Sequence, residues 1–338
     1  MLTPLERTTR SLAAEPVDRP TNFNIMMTIA AHHIGAPLSR YYLDHRVLVE
    51  ANLAVQRDFD LGIVQAISDP YRETADFGAA IHFPEDDLPL SRQPLLAEPA
   101  DLAGLRAPDP AAGGRMTDRL EAIRLLREKT AGAVPVMGWV EGALAEAADL
   151  RGVSALLYDL VDRPEWVTDL LEICTETAIA FARAQVEAGA HIVGLGDAIA
   201  SQVSPRMYRR FALPYERRIF DAVHERGALA RLHICGDTSH LLGLMPDSGA
   251  DIIDVDWMVD LGAAAEAFGG KAAVCGNFDP VAVMLQGTPE QVREAVLRCD
   301  ALGGPRHFSA AGCEIPDGTP HANLHAHAAA LREIGAGG

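Results

Sequence analysis

The residues best placed to do chemistry lie in the stretch from Ala228 to Gly236, an apolar run that ends in His233-Ile234-Cys235-Gly236. On a β-strand, side chains two apart share a face, so His233 and Cys235 can address one target together. An imidazole beside a thiolate suits zinc, which takes borderline nitrogen and soft sulfur. Two ligands do not complete a site. The run from Arg306 to Cys313 supplies a third candidate, again short, strand-like and ending in a cysteine. A site of His233, Cys235 and Cys313 would hold an ion on three sides and leave one position open for a substrate. The competing reading is core packing, because a lone buried cysteine more often fills space than binds metal. Cys174 and Cys299, within helical patterns, and Cys275, on a strand, read that way.

Ligands so distant in sequence meet only in a fold that gathers strand ends. Strand-like segments fall at 21–25, 61–67, 134–140, 190–195, 229–234, 251–255, 272–275 and 306–310. Between them lie helical patterns, clearest at 41–58, 117–130, 164–188, 205–226, 239–248, 289–302 and 323–334. Pro164 and Pro289 suit first helical turns, with Thr288 as an N-cap, and Pro214 predicts a break inside 205–226. Strict alternation of strand and helix implies parallel strands. Eight such units predict a single (β/α)8 barrel spanning 1–338. The segment 1–20 reads as an N-terminal helical extension followed by a turn. The irregular, proline-rich stretch 69–114 reads as an insertion or lid after the second strand. A doubly wound open sheet is the alternative, but the first strand is followed by Asn24-Ile25-Met26 and not by a glycine-rich phosphate turn.

Barrel chemistry sits at the C-terminal ends of the strands. Those ends read Asn24, Asp69, Glu141, Asp197, His233 with Cys235, Asp256, Asn277 and Cys313. Glu141 and Asp256 are the expected catalytic acids and bases. Asn24, Asp69 and Asn277 are the expected substrate contacts. Each acid could instead cap a helix or order a loop. His32, His33, His321, His325 and His327 lie in helical or loop contexts and read as surface or capping residues.

Bulk properties narrow the partners. The chain has 338 residues, 49% of them hydrophobic, and a formal net charge of −18. Such an acidic surface argues against nucleic acid or an anionic membrane as a partner. Five cysteines and no secretory leader pattern suit a reducing, cytoplasmic setting. No apolar run reaches the ~18 residues that a membrane span needs.

Three longer motifs carry a family resemblance: His233-Ile234-Cys235-Gly236-Asp237-Thr238, Gly276-Asn277-Phe278-Asp279-Pro280, and Ser309-Ala310-Ala311-Gly312-Cys313-Glu314-Ile315-Pro316. Together with Pro16-Val17-Asp18-Arg19-Pro20 and Ser204-Pro205, they resemble the uroporphyrinogen decarboxylase superfamily, and within it the zinc-dependent corrinoid methyltransferase branch. The resemblance runs from about residue 5 to 335. It implies zinc held by His233, Cys235 and Cys313, with Asp197 as a possible fourth ligand and Glu141 after it. It also implies methyl transfer between the methylcobalamin of a separate corrinoid protein and a small thiol, folate or methylated compound. The decarboxylases carry an arginine-rich motif near the N-terminus that holds substrate carboxylates. Here the first strand leads into Ile25-Met26-Met27-Thr28-Ile29-Ala30-Ala31, which has no arginine. Decarboxylation is therefore not expected. The alternatives are a decarboxylase-like barrel whose metal residues serve another purpose, such as a metal-dependent lyase or hydrolase, or a barrel that binds a corrinoid or small molecule without turnover.

Overall fold

The fold is given by a computed structural model in which residues 2–336 are described. Eight parallel strands form one curled sheet: β1 (Thr21–Asn22), β2 (Val64–Gln65), β3 (Val136–Glu141), β4 (Ile192–Gly196), β5 (Leu229–His233), β6 (Ile252–Asp254), β7 (Ala273–Phe278) and β8 (His307–Ala311). Their spatial order is β1-β8-β7-β6-β5-β4-β3-β2. The seam between β1 and β2 is closed by Gly62, whose N–H donates to the Asn22 carbonyl at 2.8 Å. This is the (β/α)8 barrel that alternation predicts.

Two apolar layers hold it. Phe23, Ile63, Met137, Ile192, Ile252, Ala273 and Phe308 point into the lumen, one from nearly every strand. The opposite strand faces pack against the ring of helices, including Pro164–Ala188, whose start at proline matches the sequence reading. The helix Pro4–Leu12, capped reciprocally by Thr3 and Glu6, lies under the barrel, with Leu12 against the lumen cluster. The predicted break at Pro214 falls at Ala212, between helices Pro205–Phe211 and Leu213–His224.

Local departures have local causes. The predicted helix 239–248 is a set of turns and a single short helix, Met245–Ser248. Pro246 removes an amide that a longer α-helix would need. The strand expected at 251–255 ends at Asp254, two residues before Asp256. The strand expected at 272–275 runs on to Phe278, so Asn277 lies within it. His327 is fully buried rather than superficial, between Asn24 Nδ2 at 3.4 Å and Ser309 Oγ at 3.0 Å. The stretch 69–114 opens with a buried helix, Arg72–Asp76, and continues as a small hairpin, Ile81–His82 with Leu90–Ser91. Its tip is tied to the short helix after β1, Thr28–His33, where Asp86 meets His32 at 2.8 Å.

The end of β8 passes over the end of β6 without room for a side chain. A Cβ at Gly312 would come within 2.2 Å of the Trp257 amide nitrogen and 3.0 Å of Asp256 Cα. Both neighbours are backbone, so β8 would have to yield. Gly312→Ala is expected to lower stability by about 1–3 kcal/mol, as overpacking does. It should also displace Cys313, which a denaturant midpoint and a metal titration on the same variant will register.

Candidate metal centre

His233, the last residue of β5, and Cys235 just beyond it follow the inward parity of Arg231. Cys313 follows β8 by two residues. The three donor atoms converge. His233 Nε2 lies 3.1 Å from Cys235 Sγ, the two sulfurs are 3.6 Å apart, and Cys313 Sγ is 3.8 Å from His233 Nε2. Zinc–sulfur bonds of about 2.3 Å and zinc–nitrogen bonds of about 2.0–2.1 Å, at tetrahedral angles, set edges of about 3.8 Å for S···S and about 3.6 Å for N···S. The donor triangle fits those edges to within about half an ångström. Among the described residues it is the group of histidine, cysteine and acidic side chains compact enough for an ion.

Each donor is held from behind. His233 Nδ1 donates to Asp254 Oδ2 at 2.8 Å, which leaves Nε2 facing the sulfurs. Asp254 in turn accepts from Arg231 Nε at 2.9 and 3.1 Å. Burial works against the Asp254 carboxylate, but Arg231 and His233 outweigh it and hold it down to about 2. Arg231 is buried in the lumen, where it also donates to the Phe23 carbonyl at 3.2 Å and lies over the Phe23 ring. Gly236 turns the chain after Cys235 at φ +91°, a region that favours glycine, and its N–H donates to Asp256 Oδ2 at 2.9 Å.

Charge already favours a thiolate in the triangle. Hydrogen bonds from Cys235 and His233 pull the Cys313 thiol down to about 4 despite its burial. The same contact with Cys313, together with burial, pushes the Cys235 thiol up. Burial disfavours the His233 imidazolium, yet Cys235, Asp254 and Cys313 raise it well above its ordinary value. An ion entering here would replace those protons.

The triangle forms one wall of a cavity of about 170 Å³ at the C-terminal mouth of the barrel. Ile25, Met27, Ile67, Pro70 and Trp139 make apolar walls, and the Trp139 indole lies across Gly194 and Gly196. Asp69, Arg72, Glu141 and Glu314 supply the polar surface. Arg72 Nη2 donates to Glu141 Oε1 at 2.7 Å, and its Nε is 3.4 Å from Glu73 Oε2. Burial pushes the Glu141 carboxyl up to about 8; Arg72 opposes the shift and Glu73 adds to it. Burial likewise lifts Glu314 to about 7, against hydrogen bonds from Thr28.

The expected site residues therefore divide. His233, Cys235 and Cys313 come together, and Glu141 and Asp69 reach the cavity beside them. Asp69 is held there by Arg115 at 2.7 Å. Asp197, expected as a fourth ligand, lies outside the donor triangle; its Oδ1 accepts from the Ala145 amide at 2.9 Å. Burial and the neighbouring Glu216 push its carboxyl well above the usual range. Asp256, expected in acid–base work, orders the Gly236 turn. Asn277, expected at substrate, donates to the Asp256 and Val259 carbonyls at 3.0 and 2.6 Å. Asn24 accepts from the Ala311 amide at 2.8 Å and so fixes the end of β8 that carries Cys313. Arg231, Asp254, Arg72, Trp139 and Glu314 were not singled out from sequence. The first two had a legible signal: Arg231 shares the parity of His233, and a buried arginine demands an acid.

Residues 3–334 match the uroporphyrinogen decarboxylase (URO-D) family. This chain belongs to that family. Among its relatives, the methylcobamide:CoM methyltransferase MtbA of Methanosarcina acetivorans is 32% identical over 334 residues, 95% of each chain. A uroporphyrinogen decarboxylase of Streptomyces griseus is 36% identical over 224 residues, 62% of this chain and 60% of its own. A solved methyltransferase from Methanosarcina mazei superposes with a TM-score of 0.90 at 27% identity, covering 98% of this chain and 99% of that one. The full-length matches to methyltransferases thus extend beyond the shorter match to the decarboxylase.

Asp254 fixes the ring of His233, and removal of such a partner from a metal-binding histidine typically costs about 10–100-fold in metal affinity. Asp254→Asn is expected to weaken zinc binding by that factor in a competition titration with a chromophoric chelator. Unchanged affinity would show that His233 does not depend on it.

Proposed function

We propose that this protein is a zinc-dependent methyltransferase that exchanges a methyl group between a corrinoid carried by a partner protein and a small molecule. The observation that carries the reading is the donor triangle of His233, Cys235 and Cys313, which fits zinc and forms a wall of the mouth cavity. The names of the full-length relatives, methylcobamide:CoM methyltransferases, support the same chemistry. A zinc ion so held supplies Lewis acidity to a sulfur or oxygen of the small molecule and stabilises a bound thiol in its deprotonated form.

The protein's own residues do the rest. Asp254 keeps the His233 proton on Nδ1, and Arg231 keeps Asp254 ionised. Glu141, raised by burial and lining the cavity beside the triangle, is placed to take up or return the substrate's proton, with Glu314 as a second such carboxyl. Ile25, Met27, Ile67 and Trp139 exclude water from the reacting sulfur. Ile25 and Met27 also occupy the segment in which the decarboxylases carry their arginine clamp, so a polycarboxylate has no receptor there. The partner presents its corrinoid to the open strand ends, with the 69–114 excursion at the rim. No helix among the described residues is long and apolar enough to cross a membrane.

The test is methyl transfer from methylcobalamin to a small thiol, followed by the absorbance change at cobalt. Zinc-loaded protein should turn over, and chelated protein or a Cys235→Ser variant should lose at least 100-fold. Equal rates with and without zinc would refute the reading.

A further inference from the structure

The charges around the cavity bear on the class of small molecule that enters it. Arg72 is the one arginine, and no lysine stands beside it, in the lining of the cavity, and it is already committed. Its Nη2 is bound to Glu141 at 2.7 Å, its Nη1 donates to the Asp69 carbonyl, and its Nε faces Glu73. Glu73 and Glu141 are both buried beside this one guanidinium. If they share one proton, the three groups together are neutral; if both ionise, they are negative. Asp69 is matched by Arg115, whose remaining bonds go to the Tyr42 carbonyl and to Ser68. Glu314 adds a further carboxyl on the same wall. A divalent ion neutralised by two thiolates would add no net positive charge.

From this arrangement we infer that the small methyl donor or acceptor carries no anionic group. It is a compact neutral or cationic molecule whose sulfur or oxygen meets the donor triangle and whose polar end lies at Glu141. An anionic tail would need a free cation in a small, largely apolar cavity, and every cation there is already paired. A neutral hydroxyl can exchange hydrogen bonds with Glu141. An ammonium gains its carboxylate and can also lie against the Trp139 face. The inference rests on the methyltransferase reading and narrows its substrate.

Three thiols with a common two-carbon spacer separate the possibilities: 2-mercaptoethanol, cysteamine and 2-mercaptoethanesulfonate. Calorimetric titration into zinc-loaded protein, with zinc-free protein as control, should give at least tenfold tighter binding for the neutral and cationic thiols than for the sulfonate. Glu141→Gln, which removes a carboxylate and releases part of Arg72, should narrow that ratio to threefold or less. Sulfonate binding as tight as that of the others in the wild-type protein would overturn the inference while leaving the zinc reading intact. Thiol binding indifferent to zinc, or no binding by any of the three, would overturn the methyltransferase reading and this inference with it.

Discussion

The site depends on a buried charge, Arg231, in the lumen of the barrel. An arginine there is tolerable only with its partners in place, and removing one partner of such a pair typically costs about 3–5 kcal/mol. Asp254 is that partner, and its second oxygen holds His233. Packing and the geometry of the donor triangle are therefore one problem in this barrel. The guanidinium fixes the carboxylate, the carboxylate fixes the imidazole, and the imidazole points one nitrogen at two sulfurs. Phe23, just after β1, covers the guanidinium, so the far side of the barrel helps to hold the same chain of contacts.

Much of this was legible in the sequence. The alternation of strand and helix specified the barrel, and the parity of His233 and Cys235 put them on one face. Cys313 could be added because a strand-like run preceded it. The errors arose where a strand end had to be fixed to within a residue or two. Asp256 looked like the end of β6, but that strand ends at Asp254, and this shift separates a loop-ordering acid from the one that orients His233. Asp197 follows β4 directly, yet its side chain turns toward Ala145 and Glu216, contacts that no local pattern announces. His327 looked superficial on its helix because its partners, Asn24 just after β1 and Ser309 on β8, are far from it in sequence.

The root of the excursion supplies Asp69, Pro70 and Arg72 to the mouth. Arg72 and Glu73 are buried against Glu141 at the end of β3, so a stretch that reads as irregular in sequence begins with a rigid, charged anchor. Its effect is to use up positive charge. Acids outnumber cations around the cavity, apolar side chains form its walls, and the thiol of Cys313 lies far below its ordinary range before any ion arrives. Such surroundings suit a metal that is neutralised by its own ligands and a substrate recognised by shape and hydrogen bonds.

The central claim is that His233, Cys235 and Cys313 together hold zinc. X-ray absorption at the zinc edge of the purified protein tests it most directly. The account predicts about one zinc per chain, with two sulfur neighbours near ~2.3 Å and nitrogen or oxygen near ~2.0 Å, and loss of the bound metal in His233→Ala. Zinc surrounded only by nitrogen and oxygen, or retained unchanged in that variant, would contradict it.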